Sequence, residues 1–179
     1  MRTFARVALT ALASMTANSV CAAQAYPLSQ RASVSQNVAF TTITVTYGRP
    51  FARGRVLFPD LVPWEKVWHP GADSATVVRF SKDVALEGHN VPAGEYSLWL
   101  IPRDTGPWTV ILSKAAHVFH QPYPGDSLDL LRFDVQQEKG AHMEAMAVYF
   151  PEVNREDAVM RVHWGDRIVP IRIKAAARQ

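Results

Sequence analysis

The chain has 179 residues, 48% of them hydrophobic, with 19 Lys+Arg against 16 Asp+Glu. Setting aside Arg2 and Arg6 leaves 17 against 16, a net charge of about +1; with no Lys/Arg run and no nucleic-acid-binding fingerprint, a nucleic-acid partner is not expected. Cys21 is the single cysteine, so no disulfide framework is available.

The first 25 residues read as an export signal. Arg2 and Arg6 make a short basic region, Val7 to Met15 an apolar stretch, and Ala23 or Ala25 a small-residue cleavage site. The apolar run is shorter than the roughly 20 residues a spanning helix needs, so no membrane span is expected. A periplasmic or secreted protein follows; Asn18-Ser19-Val20 is a poor approach to a lipidated cysteine, which ranks attachment through Cys21 below soluble export. Residues 26–36 are small and polar and read as a lead-in. Residues 37–175 contain no repeat, low-complexity tract or linker, and one domain is expected there.

Beyond the lead-in, apolar residues recur with a period of two, which marks half-buried strands. Ile43, Val45 and Tyr47 share one face, while Val38 and Phe40 fall on the other phase, which suggests a bulge near Thr41. Residues 48–74 form a loop of a length that is uncommon unless it serves a purpose, with at most a helical turn or two at Leu61–Val67. Strands follow at Thr76–Phe80 and Val84–Glu87, with Gly88-His89-Asn90 as a turn. Tyr96, Leu98 and Leu100 share a core face that leaves Trp99 opposite, with Glu95 and Ser97. Pro102 to Pro107 is a hairpin loop into a strand carrying Trp108, Val110 and Leu112. Three more strands carry Leu131–Val135, Met146–Phe150 and Met160–Trp164. Gly165-Asp166 reads as a two-residue hairpin turn into Ile168–Lys174, where Pro170 indicates a sheet edge. Roughly nine short strands of this kind predict an all-β fold, an antiparallel β-sandwich or jelly-roll-like barrel.

Several motifs carry a resemblance: Tyr47-Gly48-Arg49-Pro50, Gly54-Arg55, Leu61-Val62-Pro63, Val67-Trp68, Gly71-Ala72, Ala75-Thr76 and Val91-Pro92-Ala93-Gly94-Glu95-Tyr96-Ser97-Leu98-Trp99. Together they resemble an exported bacterial family catalogued as domain of unknown function 2911, over about Leu28 to Lys174. The resemblance implies an all-β exported domain and assigns no catalytic residues or cofactor. The family's usual form near Trp68 is Trp-Arg-Thr-Gly-Ala-Asn, whereas this chain has His69 and Asp73 in place of the arginine and the asparagine. An imidazole and a carboxylate there put any anion-binding role of that turn in doubt.

The residues themselves leave three readings open. Arg49 and Arg55, with Arg53 between them, suit a carboxylate or phosphate; with Trp68 as an apolar wall and His69 and Asp73 as polar groups they make a ligand site. The same arginines equally suit the loop's own carbonyls. The favoured reading is a binding module for a small anionic or carbohydrate-like ligand. The alternative is a hydrolase with His69 as base, Asp73 as its orienting carboxylate and Ser74 as nucleophile. A structural or protein-interaction domain is the third. Trp64, Trp68 and Trp99 are candidates for an aromatic platform or for a hydrophobic layer beneath the loop. Glu65, Asp73 and Glu95 are the carboxylates from which a glycoside-hydrolysing pair would be drawn. His117 and His120 are the one close histidine pair, would face opposite sides of a strand, and lack the further ligands a metal needs, so no metal or other cofactor is expected.

Overall fold

The periodic segments become ten antiparallel strands in a computed structural model that describes residues 28–176. They are β1 (Gln30–Val38), β2 (Thr41–Arg49), β3 (Thr76–Phe80), β4 (Val84–Leu86), β5 (His89–Val91), β6 (Gly94–Ile101), β7 (Pro107–Ser113), β8 (Asp129–Gln136), β9 (Glu138–Asn154) and β10 (Asp157–Ala175). The expected export signal and Cys21 lie outside the described residues. Among the described residues no helix is long and apolar enough to cross a membrane.

Two open sheets form, one in the order β1-β2-β3-β6-β7-β8 and one in the order β5-β4-β10-β9. Neither closes on itself, so the sandwich form of the expected fold is the one adopted. Period-two alternation puts Ile43, Val45, Val78, Leu98 and Val110 of the larger sheet in one core with Met146, Val162 and Ile171 of the smaller. Each is essentially inaccessible to solvent, and burying such a side chain stabilises by about 1.5–3 kcal/mol.

Several expectations are corrected. Residues 30–36, read as part of a polar lead-in, belong to β1, whose Ala32 and Val34 pack against the core from alternate positions. The phase change near Thr41 is a chain reversal instead of a bulge: Val38 pairs with Thr41, and Ala39 takes the left-handed φ of 48° that a tight hairpin demands. The turn expected at Gly88-His89-Asn90 is the two-residue Glu87-Gly88, both at positive φ, since Leu86 pairs with His89. Gly165-Asp166 is not a hairpin. Gly165 is a bulge inside β10, at φ 59°, and the 19-residue strand runs through it, paired with β9 on both sides of the bulge. The helical turn falls at Leu57–Leu61, ahead of the expected Leu61–Val67. Pro170 lies within β10, an inner strand, but between the stretch paired with β9, which ends at Ile168, and that paired with β4, which begins at Ile173. No ladder bond is asked of it there.

Candidate functional site

The loop between β2 and β3 is fastened at both ends. On leaving β2 the chain runs beside β9: Ala52 N donates to the Glu144 carbonyl at 2.8 Å and Met146 N to the Pro50 carbonyl at 2.9 Å. Next come the aromatic anchors. Phe58 stacks on Trp64 at 5.2 Å and meets Trp108 at 5.3 Å, while Trp68 stacks on Trp164 at 6.0 Å. The loop is therefore held by aromatic burial, the hydrophobic layer that was one of the two expected uses of Trp64 and Trp68. Trp99 lies on the other face of the larger sheet with Ala75 and Ile111, so the three tryptophans make no common platform.

Trp68 then pairs with Leu100 of β6 through two backbone bonds, 2.7 and 2.8 Å long. Thr76 pairs with Leu98. The loop side has spent eight residues while β6 spends two, so six residues, His69 to Ser74, are looped out of the strand path together. This excursion lies directly on β2: a Cβ added to Gly48 would stand 2.2 Å from the Ala72 carbonyl oxygen. At Gly71 an added Cβ would stand 2.6 Å from His69 Nε2 and 2.7 Å from Thr76 Oγ1. Both glycines are thus demanded by close approach. Thr76 Oγ1 donates to the Pro70 carbonyl at 2.6 Å and closes the excursion.

Its outer limb, Asp73 to Ala75, pairs with Val118 to His120 from the loop after β7. Ala75 N donates to the Val118 carbonyl at 2.9 Å, and the Asp73 carbonyl accepts both His120 N–H (3.0 Å) and His120 Nδ1–H (2.7 Å). A carbonyl only accepts, so Nδ1 carries the proton and Nε2 of the neutral ring keeps a lone pair.

Between this two-stranded ribbon and the segment after β2 opens a hollow of about 600 Å³. Arg53, Arg55, Trp68, His69, Asp73 and His120 all reach it, backed by the buried indoles of Trp99 and Trp164 and by the half-buried Tyr123. Arg53 donates to the Leu28 carbonyl (2.7 Å); Arg55 donates to the Ala52 and Phe51 carbonyls (2.9 and 2.6 Å). Among the described residues neither is in an ion pair.

Tyr123 is fixed from behind. It packs edge-on to Trp99 at 5.1 Å, its hydroxyl donates to Asp129, and Arg132 donates to Asp129 (2.5 Å), Asp126 (2.6 Å) and the Tyr123 oxygen (3.1 Å). Burial, reinforced by the bond to Asp129, pushes the phenol up to about 12, so Tyr123 meets the hollow as a neutral ring.

His69 is 4% exposed and lies 5.8 Å from Trp99 and 5.9 Å from the stacked His120 ring. Burial pulls it down from 6.5 to about 4; His120 and, more weakly, Arg31 add to this, and only a bond to the Ser74 backbone opposes them. The expected pairing with Asp73 does not form. His69 Nε2 is 3.5 Å from Thr76 Oγ1, and the exposed Asp73 carboxylate accepts no hydrogen bond among the described residues. Ser74 opens into a different hollow, with Arg31 and Phe119. The base, its orienting group and the nucleophile of the hydrolase reading are therefore not assembled. The other carboxylates are dispersed too: Glu65 pairs with Arg103 at 3.2 Å, and Glu95 with His117 at 2.7 Å.

The structure thus brings Arg55, Trp68, His69 and Asp73 to one hollow and leaves Arg49 out. Arg49 Nε donates to the Met146 carbonyl at 3.0 Å and ties β2 to β9, a strut within the Tyr47-Gly48-Arg49-Pro50 motif. Tyr47 does the same, its hydroxyl accepting Val148 N–H at 3.0 Å. Sequence reasoning missed Arg53 as a preferred residue, and His120, Tyr123 and Trp164 altogether. His120 carried a signal only as half of a histidine pair; His117 and His120 in fact sit in a loop and reach different hollows.

With this geometry in hand, the model of a family described as Protein of unknown function (DUF2911) matches residues 29–173. No curated protein and no solved structure matches the chain.

Proposed function

The chain belongs to that family, and we propose that it is an exported binding module for a small anionic or carbohydrate-like ligand, seated in the hollow between the two loops. One observation carries the reading: Arg53 and Arg55 stand at an aromatic-backed hollow of about 600 Å³, and among the described residues neither guanidinium is in an ion pair. The volume falls within the roughly 300–1,000 Å³ of small-molecule sites. Each guanidinium has five N–H groups and spends only one or two on carbonyls. The others suit a carboxylate or phosphate. Asp73 and His120 Nε2 supply acceptors for hydroxyl groups, and Trp68 and Tyr123 supply partly exposed aromatic surface. Export is supported by the basic residues Arg2 and Arg6 followed by the apolar Val7–Met15.

Calorimetric titration with galacturonic acid, which combines a carboxylate with ring hydroxyls, tests this. The native protein is expected to bind it. The double variant Arg53→Ala/Arg55→Ala is expected to bind at least about tenfold more weakly, the scale of one lost charge-assisted contact. Its thermal midpoint should stay within about 4 °C of the native value, since both side chains are exposed. Absence of binding by the native protein, or equal binding by the variant, would rule the reading out.

A further inference from the structure

We propose that the ligand site has a second subsite on the far side of the Asp73–Ala75/Val118–His120 ribbon, and that the ligand is a short acidic oligosaccharide straddling that ribbon. This rests on the binding reading above and names its ligand class.

Ser74 bridges Phe119 across the ribbon, and the two hollows divide its side chains: Asp73 and His120 line the first, Ser74 and Phe119 the other, with the Phe119 and His120 rings in contact at 4.4 Å. That second hollow has a volume of about 480 Å³ and is reached also by Arg31 and His117. It repeats the chemistry of the first: an arginine with no ion pair among the described residues, a histidine, an acceptor hydroxyl and an aromatic ring.

Placement supports it. Arg31 pairs across β1 and β2 with Gly48, the residue on which Ala72 of the excursion rests, so its charge stands beside the ribbon. Its field reaches His69 in the first hollow. Phe119 is 59% exposed, an aromatic ring largely open to solvent between Val118 and His120, whose backbones bond to the excursion. The barrier between the hollows is one strand pair wide, with about 5 Å between its chains. A polymer that repeats a carboxylate and hydroxyls on every ring matches two hollows that each repeat a cation, acceptors and an aromatic face. An acidic peptide lacks the ring hydroxyls for Asp73 and Ser74.

The test compares galacturonic acid, its trimer and tri-glutamate on the native protein, Arg31→Ala and Phe119→Ala. Linked subsites raise affinity through effective concentration, so the trimer is expected to bind at least about tenfold more tightly than the monomer. Each variant is expected to bring the trimer close to the monomer's affinity while leaving monomer binding within about twofold of native. Both side chains are exposed, and an unchanged thermal midpoint will show that the fold is intact. Equal binding of monomer and trimer, or trimer binding unaffected by both variants, overturns the second subsite while leaving the first hollow standing. Tri-glutamate binding as tightly as the trimer overturns the carbohydrate assignment. A native protein that binds no monomer overturns the reading of the first hollow itself.

Discussion

Gly48→Ala is expected to destabilise the protein by about 3 kcal/mol, the upper end of the cost of overfilling a packed site. The added methyl carbon would lie 2.2 Å from the Ala72 carbonyl oxygen, 2.9 Å from its carbon and 3.1 Å from its nitrogen. All three are backbone atoms, so no side chain can rotate out of the way. The excursion cannot retreat easily either: Trp68 and Leu100 exchange two hydrogen bonds before it, Thr76 pairs with Leu98 after it, and the Asp73 carbonyl holds His120 from the other side. Urea denaturation at neutral pH should show the loss as a lower midpoint with an unchanged slope. The same displacement moves Asp73 and His69, so galacturonic acid binding should fall with it. A midpoint within about 0.5 kcal/mol of native would mean that β2 and the excursion separate freely, and the close approach would carry no weight.

Acid should weaken the native protein by about 3 kcal/mol through His69 alone. Its pKa is about 4 in the folded chain against 6.5 as a free imidazole, and each pKa unit corresponds to about 1.4 kcal/mol. Between those two values the unfolded chain holds a proton that folded His69 refuses. Stability is therefore full above about pH 6.5, falls as pH drops, and levels off below about pH 4. The groups facing His69 sharpen the effect: His120 stacks on it from the loop after β7, Arg31 adds repulsion from β1, and Trp99 and Thr76 offer no negative charge. The variant His69→Gln is expected to flatten this pH dependence in urea midpoints taken at pH 7, 5.5 and 4.5. Glu144, which the Arg53 backbone N–H and then His142 hold below the usual carboxylate value, is a separate contribution lost at lower pH, so the two are distinguishable. A His69→Gln protein with the native slope over that interval would show that the ring finds solvent or a counter-charge when it protonates.

These two residues also show where the sequence was legible. His69 and Gly48 both stand within motifs that the sequence singled out, yet neither its burial nor its contact could be read there. Both depend on Ala72, Trp99 and His120, which meet only once six residues are looped out between Trp68 and Thr76. Arg49 and Arg55 look alike in sequence, each after a glycine. What separates them is which carbonyls lie within reach, Met146 of β9 for one and the loop's own Phe51 and Ala52 for the other. The pairing assumed for His69 and Asp73 failed for the same reason. Asp73 takes a left-handed backbone and gives its carbonyl to His120, which leaves its carboxylate outside while the imidazole goes in.

The period-two alternation of β2, β3, β6 and β7, the core face with Tyr96, Leu98 and Leu100, and the opposite facing of Trp99 follow from sequence alone, because side-chain direction along a strand is a local property of the pleat. So does the all-β fold. The reading of residues 30–36 as a lead-in and of Gly165 as a hairpin went astray because the alternation is weak in a polar edge strand and because a glycine at positive φ serves a bulge as well as a turn. Which strands face each other, which arginines meet the hollow, and the presence of His120, Tyr123 and Trp164 beside it were decided by tertiary structure. Those groups stand together because the loop after β7 pairs with the excursion and β10 brings Trp164 against Trp68, both from positions far along the chain, and proximity of that kind has no local signature.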